Sequence, residues 1–186
     1  MKINSIKFNF IMNLILTVSN FLFPLITFPY VSRVLLPEGT GKVAFAVSVI
    51  TYFSMLATFG VNSYGVRATA QVRDDKLQLS KVTHEILAIN FAVMCFVYML
   101  FFIALDVVPQ LSADPKLFII TSSMILFSII GVEWLYKGLE QYRYITVRTI
   151  IFRLVAVAAT FLLVKEKSDY LVFAAITAFA TVGSGL

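Results

Sequence analysis

Six residues in the first apolar run recur at the spacing of one helix face. Asn9, Asn13, Thr17, Asn20, Pro24 and Thr27 lie 4, 4, 3, 4 and 3 residues apart, which at 100° per residue keeps them within about 80° of one another. Three asparagines turned to hydrocarbon would each carry a desolvation cost of roughly several kcal/mol. The stripe is therefore expected to face other helices or a wet cavity, where amides and hydroxyls can hydrogen-bond a polar solute. Bonds between helices, worth about 0.6 kcal/mol each, are the simpler use, but a stripe of this length exceeds what they need.

A second group of residues brings charge into apolar surroundings: Arg33, Glu133, Lys137, Arg148 and Arg153. Charge within a membrane span is expensive and points to function. Glu133 and Arg148 fall at similar depth in neighbouring spans and are expected to pair. Arg153 lies about 13 Å along its helix from Tyr144 by rise per residue, with no acidic residue of the chain at matching depth. A forked guanidinium in that position suits a polyanionic head group such as a pyrophosphate. Snorkelling to the interface is its alternative use, as it is for Arg33. Pro24 and Pro29 each remove a helical hydrogen bond and favour a bend, so they are candidate hinges.

The remaining polar residues suggest less. His84 falls in a charged segment and is expected to be solvated, and Asp74-Asp75 is an adjacent pair in the same kind of surface loop. Trp134, Tyr136, Tyr142 and Tyr144 resemble an interfacial aromatic belt. Ala174 and Ala178 suggest close helix packing, and the single cysteine, Cys95, reads as a small buried hydrophobe. The chain has no phosphate-cradling loop, metal-ligand cluster or nucleophile–base arrangement. Neither catalysis nor a cofactor is expected, although coupling to a proton or sodium gradient stays open, with Glu133 as the one nameable titratable group.

These residues sit on elements set by composition. The chain is 60% hydrophobic and 13% charged, where soluble domains carry roughly a quarter charged residues, and its mean hydropathy is +0.91. No charge interrupts the chain between Lys7 and Arg33, from Val43 to Val66, or from Ile86 to Leu105. Each run reaches the roughly 20 residues that cross about 30 Å of hydrocarbon. The first is too long for a signal-peptide core and has no small-residue cleavage site. The expected fold is an all-α membrane protein with about six transmembrane helices, over residues 8–36, 43–66, 86–105, 117–136, 144–164 and 170–186. The clusters Pro37–Gly41, Val108–Pro115 and Lys165–Asp169 read as turns, and Arg67–Glu85 as a helix on the membrane surface.

Loop charge gives the orientation. Lys2, Lys7, Arg67, Arg73, Lys76, Lys81, Lys137, Arg143, Arg148 and Arg153 fall on the N-terminal side, against Arg33, Lys42, Lys116, Lys165 and Lys167 on the other. Ten against five places the N-terminus in the cytoplasm. The net charge of +5 is thereby explained by topology, and no nucleic-acid partner is expected. Ala178–Leu186 ends without a charged anchor, so a longer parent protein is expected.

Three blocks then match a known pattern. The first is Phe23-Pro24-Leu25-Ile26-Thr27-Phe28-Pro29-Tyr30-Val31-Ser32-Arg33-Val34-Leu35-Leu36-Pro37-Glu38-Gly39-Thr40-Gly41. The second is Gly60-Val61-Asn62-Ser63-Tyr64-Gly65-Val66-Arg67, with Val72-Arg73-Asp74-Asp75-Lys76. The third is Glu133-Trp134-Leu135-Tyr136-Lys137-Gly138-Leu139-Glu140, with Tyr144-Ile145-Thr146. Together they resemble Wzx-type oligosaccharide flippases, the polysaccharide-transporter branch of the MATE-like MOP superfamily. That family commonly has Gly where this chain has Leu36, and Pro in place of Val132.

The resemblance implies about twelve spans in two six-helix lobes. It also implies alternating-access flipping of undecaprenyl-pyrophosphate-linked oligosaccharide from the cytoplasmic to the outer leaflet of a bacterial inner membrane, for O-antigen or capsule synthesis. Residues 1–186 would be the N-terminal lobe, with the C-terminal lobe absent, and a polysaccharide polymerase would be a further partner beside the membrane lipids. Arg33, Glu133, Lys137, Arg148 and Arg153 would then belong to the cavity or its inner gate. Three other readings stay open. A drug or cation exporter of the same superfamily would favour an acidic cavity, a sugar-lipid transferase would need acidic metal-binding loops, and a non-transporting subunit would have no use for the polar stripe.

Overall fold

The computed structural model describes residues 6–58, 60–128 and 131–185, with only the backbone of Ile6. Lys2, counted in the charge asymmetry, and Leu186, the end of the sixth expected span, lie outside the described residues. The regular structure among those described is α-helix, with one 3-10 turn at Lys167–Asp169. In chain order the helices are α1 (Ile6–Val34), α2 (Leu36–Ala57), α3 (Val61–Val72), α4 (Lys76–Val107), α5 (Pro109–Ser112), α6 (Pro115–Ser128), α7 (Glu133–Gly138), α8 (Tyr142–Leu163) and α9 (Tyr170–Gly185). Five segments are long and apolar enough to cross a membrane: Lys7–Val34, Leu36–Ala57, Lys76–Val107, Pro115–Gly138 and Tyr142–Leu163. The uncharged α9 adds 16 residues, about 24 Å of helix.

Helix α9 sits in the middle of the bundle, against α8, α6 and α2. Its small residues allow this: Ala174 is fully buried and Ala178 nearly so, as the four-residue alanine spacing suggested. Around them pack Val43, Ala46 and Ile50 of α2, Val97 and Phe101 of α4, and Phe118 of α6. Helix α1 lies outside this core and rests mainly on α8. The Thr146 hydroxyl donates to the Met12 carbonyl at 3.0 Å and the Tyr30 hydroxyl to the Val164 carbonyl at 2.8 Å. Outward faces remain apolar, with Phe21, Leu25, Phe28, Phe91 and Phe96 exposed. Such surface belongs against hydrocarbon.

Several expected boundaries shift, each for a local reason. The Pro37–Gly41 cluster is the first turn of α2, because proline lacks the N–H that an opening turn leaves unpaired. The second long helix ends at Ala57, since Gly60 adopts φ 75 and restarts the chain as α3. No continuous surface helix covers 67–85. The chain breaks after Val72, and the Asp75 carboxylate accepts from the N–H groups of Leu77 and Gln78 at 2.9 and 3.2 Å. That cap opens α4, the longest helix. The fourth expected span is interrupted at Gly131 and Val132, so Glu133 opens the separate short helix α7. Cys95 is exposed on α4 and faces outward with the apolar lipid side. At the far hairpin, Asp169 accepts from the N–H groups of Lys165 and Glu166, and these bonds hold its carboxyl below the ordinary range.

The α1–α2 link carries a backbone strain. Leu36 has φ 59, a left-handed conformation that costs a residue with a Cβ about 1–2 kcal/mol and glycine little. Leu36→Gly is therefore expected to raise thermal stability in detergent by about 1 kcal/mol. An unchanged or lower melting temperature would show that the Leu36 side chain contributes more than the strain removes.

Candidate functional site

Helices α1, α8 and α9 enclose an open groove of about 370 Å³. From α1 come Asn20, Phe23, Pro24, Thr27 and Phe28, and from α8 Arg153, Ala156, Val157 and Thr160. Helix α9 adds Phe173, Ile176, Thr177, Ala180, Thr181 and Ser184. The walls are mostly apolar, and the cation in them is Arg153. Its guanidinium carbon stands 5.9 Å from the Phe23 ring centre, and its Nη1 is buried without a hydrogen-bond partner. A half-buried guanidinium with a free donor is poised for a ligand with spare acceptors.

The hydroxyls around it present acceptors. Thr160, Thr177, Thr181 and Ser184 donate to carbonyls of their own helices at 2.8 to 2.9 Å. Their donor is thus used, and their oxygen lone pairs remain available. The two prolines leave α1 unbroken from Ile6 to Val34. Pro24 nevertheless leaves the Asn20 carbonyl without its helical donor, at a point where both residues line the groove.

The polar stripe of α1 is thus divided. Asn20, Pro24 and Thr27 line the groove. Asn9 is buried, with an unpartnered Oδ1. Asn13 and Thr17 are exposed on α1, with the Thr17 hydroxyl on the Asn13 carbonyl at 2.8 Å. Pro29 follows directly on Phe28 of the groove, in the same unbroken helix, and is not among the lining residues. Arg33 is exposed in the last turn of α1, where a cation is favoured by the helix dipole.

The expected Glu133–Arg148 pair does not form. Glu133 pairs with Lys137 at 2.9 Å, because the break before α7 puts the two one helical turn apart on the same short helix. Arg148 is buried and donates to the Ser184 carbonyl at 2.7 Å. Its guanidinium carbon lies 5.3 and 6.0 Å from the rings of Tyr144 and Tyr136, which themselves stack at 4.5 Å. It braces α8 to α9 behind the groove rather than lining it.

Two further cavities lie beside the first. One, of about 410 Å³, shares Thr181 with the groove and is lined also by Thr51, Ser54, Thr58, Asn62 and Glu133. The other, of about 390 Å³ between α3 and α7, shares Asn62 and Glu133 and adds Ser63, Val66, Trp134 and Lys137. Trp134 is 2% exposed, in the small core of Ala68 and Ile86, and so is not part of an interfacial belt. Its indole N–H is buried without a partner. Helices α3 and α7 approach closely through glycines, since a Cβ on Gly65 would come within 2.6 Å of the Trp134 ring and one on Gly138 within 2.6 Å of Thr69 Cβ. The Arg73–Glu140 ion pair, 3.1 Å, closes this end of the bundle.

The α9 hydroxyls and the Asn62-Ser63 pair were not among the expected site residues. Thr177, Thr181 and Ser184 do carry a signal, the 4 and 3 spacing of one helix face.

The family model described as "Polysaccharide biosynthesis protein" matches residues 6–186. A protein of Escherichia coli (strain K12) named "Putative O-antigen transporter" is 28% identical over 185 residues, which cover 98% of this chain and 44% of that protein. One of the same name from Shigella dysenteriae is 30% identical over 151 residues, 81% of this chain and 38% of its own length. The chain thus spans less than half the length of the curated relatives it matches. No solved structure matches it significantly.

Proposed function

The chain belongs to the polysaccharide biosynthesis protein family, and from that premise we propose that it is one lobe of a flippase for a polyprenyl-pyrophosphate-linked oligosaccharide. It is a multi-pass membrane protein and a relative of transporters. The observation that carries the finer reading is Arg153, a guanidinium with a buried, unpartnered Nη1 in a mostly apolar groove. A pyrophosphate supplies the acceptors that such a donor lacks, and the apolar walls suit the lipid beside it. A cation exporter would want the opposite sign, yet no carboxylate is among the described residues lining the groove, and Glu133 of the neighbouring cavity is held by Lys137. The groove is open on one side, which suits a site completed by a second lobe. On the proposed topology the N-terminus and the α3–α7 end face the cytoplasm, where such substrates are loaded. A polymerase would consume the product, and the bacterial inner membrane is the proposed location.

Complementation tests this. The chain, alone and joined to a matched C-terminal lobe, is expressed in a bacterium lacking its own O-antigen flippase, and surface polysaccharide is assayed. Rescue is expected only with the added lobe. Absence of rescue in both cases, with membrane insertion confirmed, would overturn the flippase reading.

A further inference from the structure

We propose that the α3–α7 cavity is a saccharide subsite, in which Asn62, Ser63 and the Glu133–Lys137 pair hold a pyranose ring of the glycan. This rests on the flippase reading and assigns a place to the part of the ligand that Arg153 does not touch. Three observations carry it. First, the cavity is lined by side chains that both donate and accept, and Glu133 and Lys137 neutralise one another at 2.9 Å. A site with many hydrogen-bonding atoms and no net charge selects a neutral polyhydroxyl ligand over an ion. Second, it is pre-formed. The close approach of Gly65 fixes the Trp134 ring, whose indole N–H lacks a partner. Third, it adjoins the groove by way of the middle cavity. Asn62 and Glu133 are shared with the middle cavity, and Thr181 is shared between that cavity and the Arg153 groove. A head group at Arg153 and a sugar at Asn62 can thus belong to one extended molecule.

Neutral hydrogen bonds of this kind sharpen selectivity when the analogue lacking the group leaves them unmade. Trp134 is the only tryptophan in the chain, so its emission reports on this cavity alone. The chain in nanodiscs is titrated with bare undecaprenyl pyrophosphate and with the same lipid carrying the host bacterium's own surface-polysaccharide repeat. The glycan-bearing lipid is expected to bind about tenfold tighter, the work of one or two neutral hydrogen bonds, and it alone shifts Trp134 emission. Asn62→Ala and Ser63→Ala, both at exposed positions, should each bring the two lipids within about threefold while leaving the bare lipid unaffected. Equal binding of both lipids to the unaltered chain, or a full tenfold advantage in both variants, would overturn the subsite. The Arg153→Ala chain separates the two readings. Undiminished binding of bare lipid there refutes the head-group role, while the glycan advantage still decides the subsite. Binding of neither lipid to the unaltered chain overturns both.

Discussion

Arg153→Ala is expected to abolish surface polysaccharide in the complementation strain while the protein still inserts and accumulates. The residue donates no hydrogen bond to its neighbours among the described residues and sits against Phe23 and the groove, so its removal leaves no stranded partner. What is lost is a charge-assisted hydrogen bond to a phosphoryl oxygen in a poorly hydrated wall, worth about 1.5–3 kcal/mol, or roughly 10- to 100-fold in affinity for undecaprenyl pyrophosphate. Arg153→Lys should recover only part of this, because an ammonium keeps the charge without the forked donors. If Arg153→Ala retains full affinity and full polysaccharide, the side chain is merely reaching for the interface.

The second large effect is on folding. Gly65→Ala places a methyl within 2.6 Å of the Trp134 ring, which is buried and cannot swing aside. Overpacking of this kind costs about 1–3 kcal/mol, a loss of several degrees, on the order of 5 °C, for a chain of this size. Gly138→Ala meets Thr69 in the same seam and should behave likewise. Thermal unfolding in detergent, followed by Trp134 emission, reads both. Unchanged melting in both variants would mean that α3 and α7 are not packed as described.

Fold class was legible because one quantity, the length of uncharged runs, decides it. The break at Gly60 was not, because nothing in an apolar run distinguishes a glycine that continues a helix from one that adopts positive φ and restarts it. Glu133 shows the same limit. Its depth pointed to Arg148 as partner, but the interruption before α7 offered Lys137 at one turn's distance, and a local pair needs no tertiary alignment. Trp134 was misplaced because interfacial and buried tryptophans share the same sequence surroundings. What buries this one is Gly65, 69 residues earlier. Of the α1 stripe, Asn20, Pro24 and Thr27 reach the groove and Asn13 and Thr17 do not. Periodicity fixes which residues share a helix face, but not how far along the helix a neighbour extends.

The seating of α1 on α8 also bears on how the protein is made. The two hydrogen bonds that fasten α1, Thr146 to Met12 and Tyr30 to Val164, each span 134 residues of chain. At synthesis rates of about 5–20 residues per second, α1 waits on the order of ten seconds for the helix that holds it. During that time its asparagines have neither α8 nor the groove beside them, and hydrocarbon is a poor place for them. Helix α1 is thus fastened only once α8 has been made. Until α8 arrives, the contacts of α1 within the bundle are chiefly those with α2.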